Sequence, residues 1–271
     1  MATTKMRMTP TEIVSTGMMR KILSALAFLA MQGLTPAYGA PCRQTEFEGQ
    51  AFTLCEVQAG QDLRLFHSDA AGDLLGSFRA VEAMLAKDGQ QLVFAMNGGM
   101  YHRDRAPVGL YIENGQERAP IQTGASDDNF GMLPNGVFCI LGAEGASGAA
   151  GFRILESRAF AAAPPLCRFA TQSGPLMVQD GQLHPRFIPG GDSKYLRNGV
   201  GVTADGQRAI FAISEDQVNF DTFGRLFRDH LALPDALYLD GKISRLYAPA
   251  LRRADMGLAM GPIVGLVAPK P

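Results

Sequence analysis

Short apolar runs separated by glycine turns dominate the chain beyond its first 40 residues. Runs of this kind are typical of buried or half-buried β-strands. The runs that predict strands are Leu92–Met96, Val108–Ile112, Val137–Leu141, Leu176–Val178, Ala209–Ile213, Ala236–Leu239 and Ile263–Val267. Asp-Gly or Asn-Gly pairs recur between them, at 88–89, 114–115, 180–181 and 205–206. Because both residues of such a pair tolerate positive φ, tight hairpins and antiparallel pairing are expected.

Two segments show helical rather than strand periodicity. Apolar side chains recur every three or four positions in Ser77–Lys87 and in Asp221–Leu231, which predicts two amphipathic helices. Asn219 or Asp221 is the expected N-cap of the second helix. Few helices among many strands predict an α+β fold, a single domain with a mixed, mainly antiparallel sheet.

The first 40 residues have the pattern of a signal peptide. Arg20 and Lys21 precede the apolar run Ile22–Met31, which is too short to span a bilayer comfortably. Small residues then suit cleavage after Gly39 or Ala40. An uncleaved anchor or a buried helix is the alternative interpretation. We therefore predict a signal peptide at 1–40, a domain at 41–271, a periplasmic or secreted location, and no membrane span after leader cleavage.

Four cysteines follow the predicted leader: Cys42, Cys55, Cys139 and Cys167. An even number in an oxidising compartment indicates two disulfides, with buried free thiols as the alternative. Three pairings are possible. Glu48–Gly49 can turn a hairpin between Cys42 and Cys55, which favours 42–55 together with 139–167.

Composition and charge narrow the possible functions. The chain is 46% hydrophobic and 19% charged, as in ordinary globular proteins, and its formal net charge is −1. It has no basic run, which argues against binding to nucleic acid or to a membrane surface. It also lacks C-x-x-C and metal-like histidine spacing, so we predict no metal and no cofactor.

Polar groups concentrate in five segments near the ends of predicted strands. These segments are Asn97–His102, Gln172–Pro175, Gly190–Ser193, Arg197–Val202 and Tyr238–Ser244. Glycine pairs allow close backbone approach to an anion, and an arginine can clamp a phosphate. Each segment also fits an ordinary turn or loop. Asp240–Gly241 in particular fits a β-hairpin between the flanking apolar runs.

Four of these segments together carry a resemblance to a known family. Asn97-Gly98-Gly99-Met100-Tyr101, Gln172-Ser173-Gly174-Pro175, Arg197-Asn198-Gly199-Val200-Gly201 and Tyr238-Leu239-Asp240-Gly241 follow in this order. Over roughly residues 91–268 the chain thus resembles the phosphodiester glycosidase family. Lys242 departs from the small residue expected after Gly241, and adds a cation.

The resemblance implies an exported hydrolase that cleaves the glycosidic bond of a sugar-1-phosphodiester in envelope or extracellular glycans. A non-catalytic module that binds such a glycan or sugar phosphate is the alternative. The expected catalytic residues are Asp240 as nucleophile or base, Arg197 as phosphate clamp, and His102 as proton donor or relay. The expected substrate-binding residues are Asn97, Gly98, Gly99, Met100, Gln172, Ser173, Gly174, Ser193, Gly241 and Ser244.

Overall fold

The structure, a computed structural model, describes residues 1–2, 41–142 and 150–271. The predicted signal peptide lies outside the described residues, apart from its first two positions. Ala40–Pro271 forms one compact unit. Among the described helices, none is both long and apolar enough to cross a membrane.

Strands make up most of the unit. In chain order they are β1 (Cys42–Phe47), β2 (Gln50–Gln58), β3 (Leu63–Phe66), β4 (Gln90–Asn97), β5 (Tyr111–Glu113), β6 (Gln116–Ala119), β7 (Gly136–Leu141), β8 (Gly151–Glu156), β9 (Cys167–Ser173), β10 (Leu176–Gln179), β11 (Gln182–Leu183), β12 (Asn198–Val202), β13 (Arg208–Ser214), β14 (Asp235–Asp240), β15 (Leu246–Ala248), β16 (Arg253–Ala254) and β17 (Ile263–Pro269). The helices are α1 (Phe78–Ala86), α2 (Ser157–Ala162) and α3 (Phe220–Arg225), with a π-turn at Leu226–His230 and a 3₁₀ turn at Pro249–Leu251.

The strands form three sheets. Sheet A has the order β1-β2-β13-β12-β14-β10-β11, sheet B the order β16-β15-β4-β17-β3, and sheet C the order β6-β5-β9-β7-β8. Every pairing among these strands is antiparallel. The prediction of a mainly antiparallel domain with few helices is confirmed.

One apolar core joins the three sheets. Phe211 of sheet A packs against Phe94 of sheet B and against Phe138 of sheet C, with ring centroids 5.7 Å apart in both pairs. The three rings are fully buried or nearly so. Aromatic rings at this separation and tilt contribute beyond the area that they bury. The three sheets are therefore held together by the packing of these rings. The functional site lies away from this contact, at the ends of the strands.

Helices cover the outer faces of sheets A and B. α1 begins after Ser77, whose hydroxyl accepts from the Ala80 N–H, and it buries Phe78 and Val81 against sheet B. α3 begins after Asn219, whose side chain accepts from the Thr222 N–H. Of the two predicted N-caps, Asn219 is therefore the one that is used. The six-residue α2 was not predicted, since so short a helix shows no clear periodicity.

The turn chemistry produces the predicted hairpins. Asn114–Gly115, Asp180–Gly181 and Asp205–Gly206 link strand pairs, while the Asp88–Gly89 pair leads from α1 into β4. Glu48–Gly49 turns β1 into β2 with both residues at positive φ, so that Cys42 and Cys55 face each other. The disulfides are Cys42–Cys55 and Cys139–Cys167, as predicted.

The segment after Asp240 does not form the hairpin that the sequence also allowed. β14 pairs within sheet A, with β12 and β10, whereas β15 pairs within sheet B, with β4 and β16. The chain therefore crosses from one sheet to the other immediately after Asp240. This crossing creates the polar turn on which the site is built.

Candidate active site

Two buried asparagines join the ends of β4 and β12. Asn97 Nδ2 donates to Asn198 Oδ1, and Asn198 Nδ2 donates to the Asn97 carbonyl oxygen, each at 3.1 Å. Both residues are fully buried. Buried amides need such partners, because an unpaired one would lose its hydrogen bonds to water without replacement. The pair thus fixes the end of sheet B against the end of sheet A.

The same pair holds both ends of the segment from Asp240 to Arg245, here called the 240–245 loop. Asn198 Oδ1 accepts from the Asp240 N–H at 3.1 Å, and Asn97 Oδ1 accepts from the Arg245 N–H at 2.9 Å. Ser244 Oγ lies 2.9 Å from the carbonyl oxygens of Leu196 and of Asp240. The loop therefore has a defined conformation despite its position at the surface.

The Asp240 carboxylate organises the interior of this loop. Its Oδ1 accepts backbone N–H bonds from Gly241 at 2.6 Å, Lys242 at 2.7 Å and Ile243 at 3.4 Å. Its Oδ2 accepts no hydrogen bond from the described residues and is not sealed from solvent. One carboxylate oxygen is thus fixed by the backbone, while the other remains available to a ligand.

Arg197 lies beneath the loop as a fully buried cation. Its Nε donates to the Val218 carbonyl at 2.8 Å, Nη2 to the Ser193 carbonyl at 2.7 Å, and Nη1 to Tyr238 Oη at 3.1 Å. The Phe220 ring lies 3.6 Å from the guanidinium carbon, in cation–π geometry. Burial lowers the pKa of Arg197, yet arginine stays charged in proteins.

The environment of Arg197 differs from that of a phosphate clamp open to solvent. The guanidinium is fully covered, so the structure does not present it as a direct phosphate clamp. It holds the Tyr238 hydroxyl instead, and Gly241 packs against that hydroxyl. A Cβ on Gly241 would lie 1.8 Å from Tyr238 Oη. Arg197 therefore contacts the 240–245 loop through the Tyr238 hydroxyl.

A cleft of about 540 Å³ opens beside the loop. Its lining residues are Tyr195, Leu196, Gln217, Gly241, Lys242, Ile243, Ser244, Arg245, Arg253, Asp255 and Met256. Arg253 forms ion pairs with Glu215 and with Asp255. Lys242 and Arg245 form no ion pair with the described residues. The cleft, which the residues following Asp240 line, therefore carries two cations without an ion-pair partner among the described residues, an arrangement that suits an anionic ligand.

Tyr101 adds a second titratable group near Asp240. Its hydroxyl is buried and has no hydrogen-bond partner among the described residues. Burial first, and then the negative charge of Asp240, raise the pKa of the Tyr101 phenol. The phenol therefore stays protonated, as a potential hydrogen-bond donor close to the carboxylate.

Several of the predicted substrate-binding residues are hydrogen-bonded or closely packed within the protein. Gln172 Oε1 accepts from the N–H groups of Leu110 and Gln122, and its amide nitrogen donates to the Gln122 carbonyl. Ser173 Oγ donates to the Leu239 carbonyl at 2.9 Å, which ties sheet C to sheet A. Gly174 packs against the Phe130 backbone. Their polar atoms are used within the protein and do not face the cleft.

The Gly98–Gly99 amides are also engaged within the protein. The Gly98 N–H donates to the Pro262 carbonyl, and the Gly99 N–H donates to Thr171 Oγ1. A Cβ on Gly99 would lie 2.3 Å from the Gln172 carbonyl oxygen. These glycines therefore permit close packing of the sheets, and the expected anion nest does not form here.

The remaining predicted residues are peripheral in this structure. Met100 is half-buried and packs with the core of sheet A and α3. His102 is exposed in a turn, and its ring makes no hydrogen bond to the described residues. Ser193 is exposed and contributes its carbonyl to Arg197. Of the predicted set, Asp240, Asn97, Gly241 and Ser244 come together at the loop.

Three residues at the site were not predicted: Asn198, Tyr101 and Arg245. Asn198 and Tyr101 lie within the segments that carry the family resemblance. Their polar side chains near the end of a strand were the sequence feature that could have identified them. Arg245 follows Ser244 directly, and its charge gave no local indication that it lines a cleft.

Within the described residues, no group of three histidine, cysteine or acidic side chains is arranged to hold a metal ion.

Comparison with known proteins agrees with this architecture. The sequence profile described as phosphodiester glycosidase matches residues 90–253. A relative from Escherichia coli (strain K12), the uncharacterized protein YigE, is 35% identical over 185 residues, which is 68% of this chain and 69% of the relative.

A solved structure shares the fold. It is the catalytic domain of zebrafish N-acetylglucosamine-1-phosphodiester alpha-N-acetylglucosaminidase, auto-inhibited by its pro-peptide. The TM-score is 0.56 at 12% identity, with 83% of this chain and 81% of that chain covered. At this identity the likeness concerns the fold alone. The profile match and the bacterial relative show that the chain belongs to the phosphodiester glycosidase family.

Proposed function

We propose that this protein is an exported hydrolase that cleaves the bond between the anomeric carbon of a sugar and a phosphodiester, with Asp240 as the reacting carboxylate. One observation carries the proposal. Among the described residues, Asp240 has one oxygen fixed by backbone amides and the other without a hydrogen-bond partner, and the loop that follows it lines a cleft with two cations that form no ion pair there. Family membership supports the reaction class.

The residues fit the charge changes of this reaction. The phosphate of the substrate lies between Lys242 and Arg245, whose charges stabilise the leaving group as negative charge develops on it. The bond from the anomeric carbon to the bridging oxygen breaks, and its electron pair leaves with the phosphate. A phosphomonoester is a good leaving group, so a strong general acid is not required.

Asp240 Oδ2 then assists the oxocarbenium-like centre, either as nucleophile or as base for water. Water supplies the new hydroxyl on the anomeric carbon, and its proton passes to Asp240 or to solvent. The products are a reducing sugar and a phosphomonoester. The buried Arg197 acts indirectly, by holding the Tyr238 hydroxyl, against which Gly241 packs. The mechanism does not use His102.

Export is the second part of the proposal. The sequence pattern of residues 1–40 is that of a signal peptide, and both disulfides suit an oxidising compartment. Substrates in that compartment are sugar phosphodiesters of the envelope or of extracellular glycans. Processing in a secreting bacterium, read by mass spectrometry of the N-terminus, tests this part independently of activity.

The test of activity compares wild type with Asp240→Asn on a panel of sugar-1-phosphodiesters, measuring release of reducing sugar. Asn can still accept the backbone N–H bonds through Oδ1, so the loop is retained. We expect a loss of about 10²- to 10⁴-fold. Asp205→Asn, in an exposed β12–β13 turn, is the matched control and should retain full activity.

Full activity of Asp240→Asn would remove Asp240 from the chemistry. Absence of release by wild type, while the same compounds raise its melting temperature, would instead support a module that binds glycans without turnover.

A further inference from the structure

A groove of about 590 Å³ adjoins the cationic cleft and has a different chemical character. Arg245, Asp255 and Met256 line both, so the two spaces are continuous. The rest of the groove is lined by Ser77, Phe78, Arg79, Glu82, Tyr247, Ala254, Gly257 and Met260. It lies between the start of α1 and the β15–β16 edge of sheet B.

The floor of this groove is apolar. The rings of Phe78 and Tyr247 pack with centroids 5.9 Å apart, and Met260 is buried beside them. Met256 stands at the junction with the cleft and is 93% exposed. An exposed apolar side chain beside an apolar concavity is typical of a ligand-binding surface.

Most polar groups around the groove already have protein partners. Glu82 Oε1 accepts from the Leu92 N–H, and Ser77 Oγ accepts from the Ala80 N–H. Asp255 accepts from Arg253 and from the Leu246 N–H. Arg79 and the Tyr247 hydroxyl have no such partner among the described residues. A sugar in this groove would find these two groups to replace its hydrogen bonds to water, whereas a hydrocarbon chain needs none.

From this we infer that the groove binds the hydrocarbon chain of the substrate's alcohol, so that the phosphodiester joins the sugar to a long-chain alkyl or isoprenoid alcohol. The inference rests on the proposed function, because it assigns the phosphate to the cleft between Lys242 and Arg245. Continuity of groove and cleft then places the chain of the leaving group in the groove. The reaction releases the sugar and the alkyl phosphate.

The experiment compares two substrates that differ only in the alcohol, a methyl and a decyl ester of the same sugar-1-phosphate, below the micellar concentration of the decyl compound. Each methylene that the groove buries should raise kcat/KM by about two- to fourfold. We expect a decyl-to-methyl ratio of kcat/KM of about 100, which at this rate corresponds to burial of roughly three to seven of the nine additional methylenes.

Ala254→Trp fills the groove from an exposed position, and should lower this ratio by about tenfold or more. Met256→Gln removes an apolar contact, and should lower it by about threefold. Leu166→Gln changes another exposed apolar residue, one that lines neither space, and should leave the ratio unchanged.

The outcomes separate the two proposals. Hydrolysis of both esters with a ratio near one would overturn the assignment of the groove and leave the proposed function intact. If neither ester is hydrolysed, the proposed function fails, and calorimetry with decyl phosphate and methyl phosphate tests the groove alone. Equal affinity for these two phosphates, or no effect of Ala254→Trp on decyl phosphate binding, would then overturn the groove as well.

Discussion

Gly241→Ala tests the contact that supports the 240–245 loop. The added Cβ would lie 1.8 Å from Tyr238 Oη, whereas ordinary contacts of a Cβ are 3.4–4 Å. The clash is therefore relieved only by a movement of more than about 1 Å. Gly241 is not in the left-handed region, so the substitution adds no backbone strain of its own.

Tyr238 cannot move away easily. It is fully buried, its hydroxyl accepts from Arg197, and its ring packs edge-on against Phe220 at 4.8 Å. Forced packing costs about 1–3 kcal/mol. Loss of a hydrogen bond to a charged group costs about 1.5–3 kcal/mol more. We expect Gly241→Ala to lower the free energy of unfolding by about 2.5–6 kcal/mol, or to displace the loop and lower activity by about 10²-fold.

Urea unfolding followed by far-UV circular dichroism measures the effect, since the chain has no tryptophan. A double variant isolates the clash. Tyr238→Phe removes the hydroxyl, and the next atom, Cζ, lies 3.1 Å from the added Cβ. In the presence of Tyr238→Phe, Gly241→Ala should therefore cost less, with a coupling energy of about 1–3 kcal/mol.

Gly124→Ala is the control, because a Cβ there meets nothing within 4 Å. If Gly241→Ala has the unfolding midpoint and activity of wild type, or if its cost is the same with Tyr238→Phe, the proposed support of the loop is wrong.

Three further predictions concern the frame around the site. Gly99→Ala should lower the free energy of unfolding by about 1–3 kcal/mol, because the added Cβ would lie 2.3 Å from the Gln172 carbonyl oxygen. Gly98→Ala should cost less, because its Cβ would lie 3.2 Å from the nearest atom. Urea titration of the two variants compares these costs. Burial lowers the pKa of His184 below its ordinary value of 6.5, so that the unfolded chain binds a proton more readily than the folded one. The stability of the wild type should therefore fall as the pH drops below about 6.5. His184→Gln should lessen that fall, measured between pH about 7.5 and about 5. Removal of the Cys139–Cys167 disulfide by double Ala substitution should cost about 3–4 kcal/mol in the same titration, and an unchanged midpoint would contradict this.

Local features of the fold could be predicted from the sequence. The turn at Asn114–Gly115, the hairpin between Cys42 and Cys55, and the helix after Ser77 each depend on residues close together in the chain. In these cases turn chemistry and periodicity act on the segment that displays them. The division of the strands into three sheets could not be predicted in this way, because it depends on packing between distant residues.

The site shows the same limit. Asp240 was identified by its residue type and its position after an apolar strand. The sequence also allowed a hairpin there, and only the pairing of β15 with β4 excludes it. Arg197 was identified by its charge and its place before a strand, whereas its aromatic surroundings come from Phe220 and Tyr238, which are distant in the sequence. Gln172 likewise gave no local sign that it binds the backbone of Leu110.

The Asn97–Asn198 pair has a consequence for when the 240–245 loop becomes ordered during folding. The two residues are 101 positions apart, so a loop of that length must close before their hydrogen bonds can form. An intermediate with only one of the two sheets in place has no fixed 240–245 loop. A chain translocated in an unfolded state would thus acquire an ordered 240–245 loop only at its destination, after the two sheets had docked.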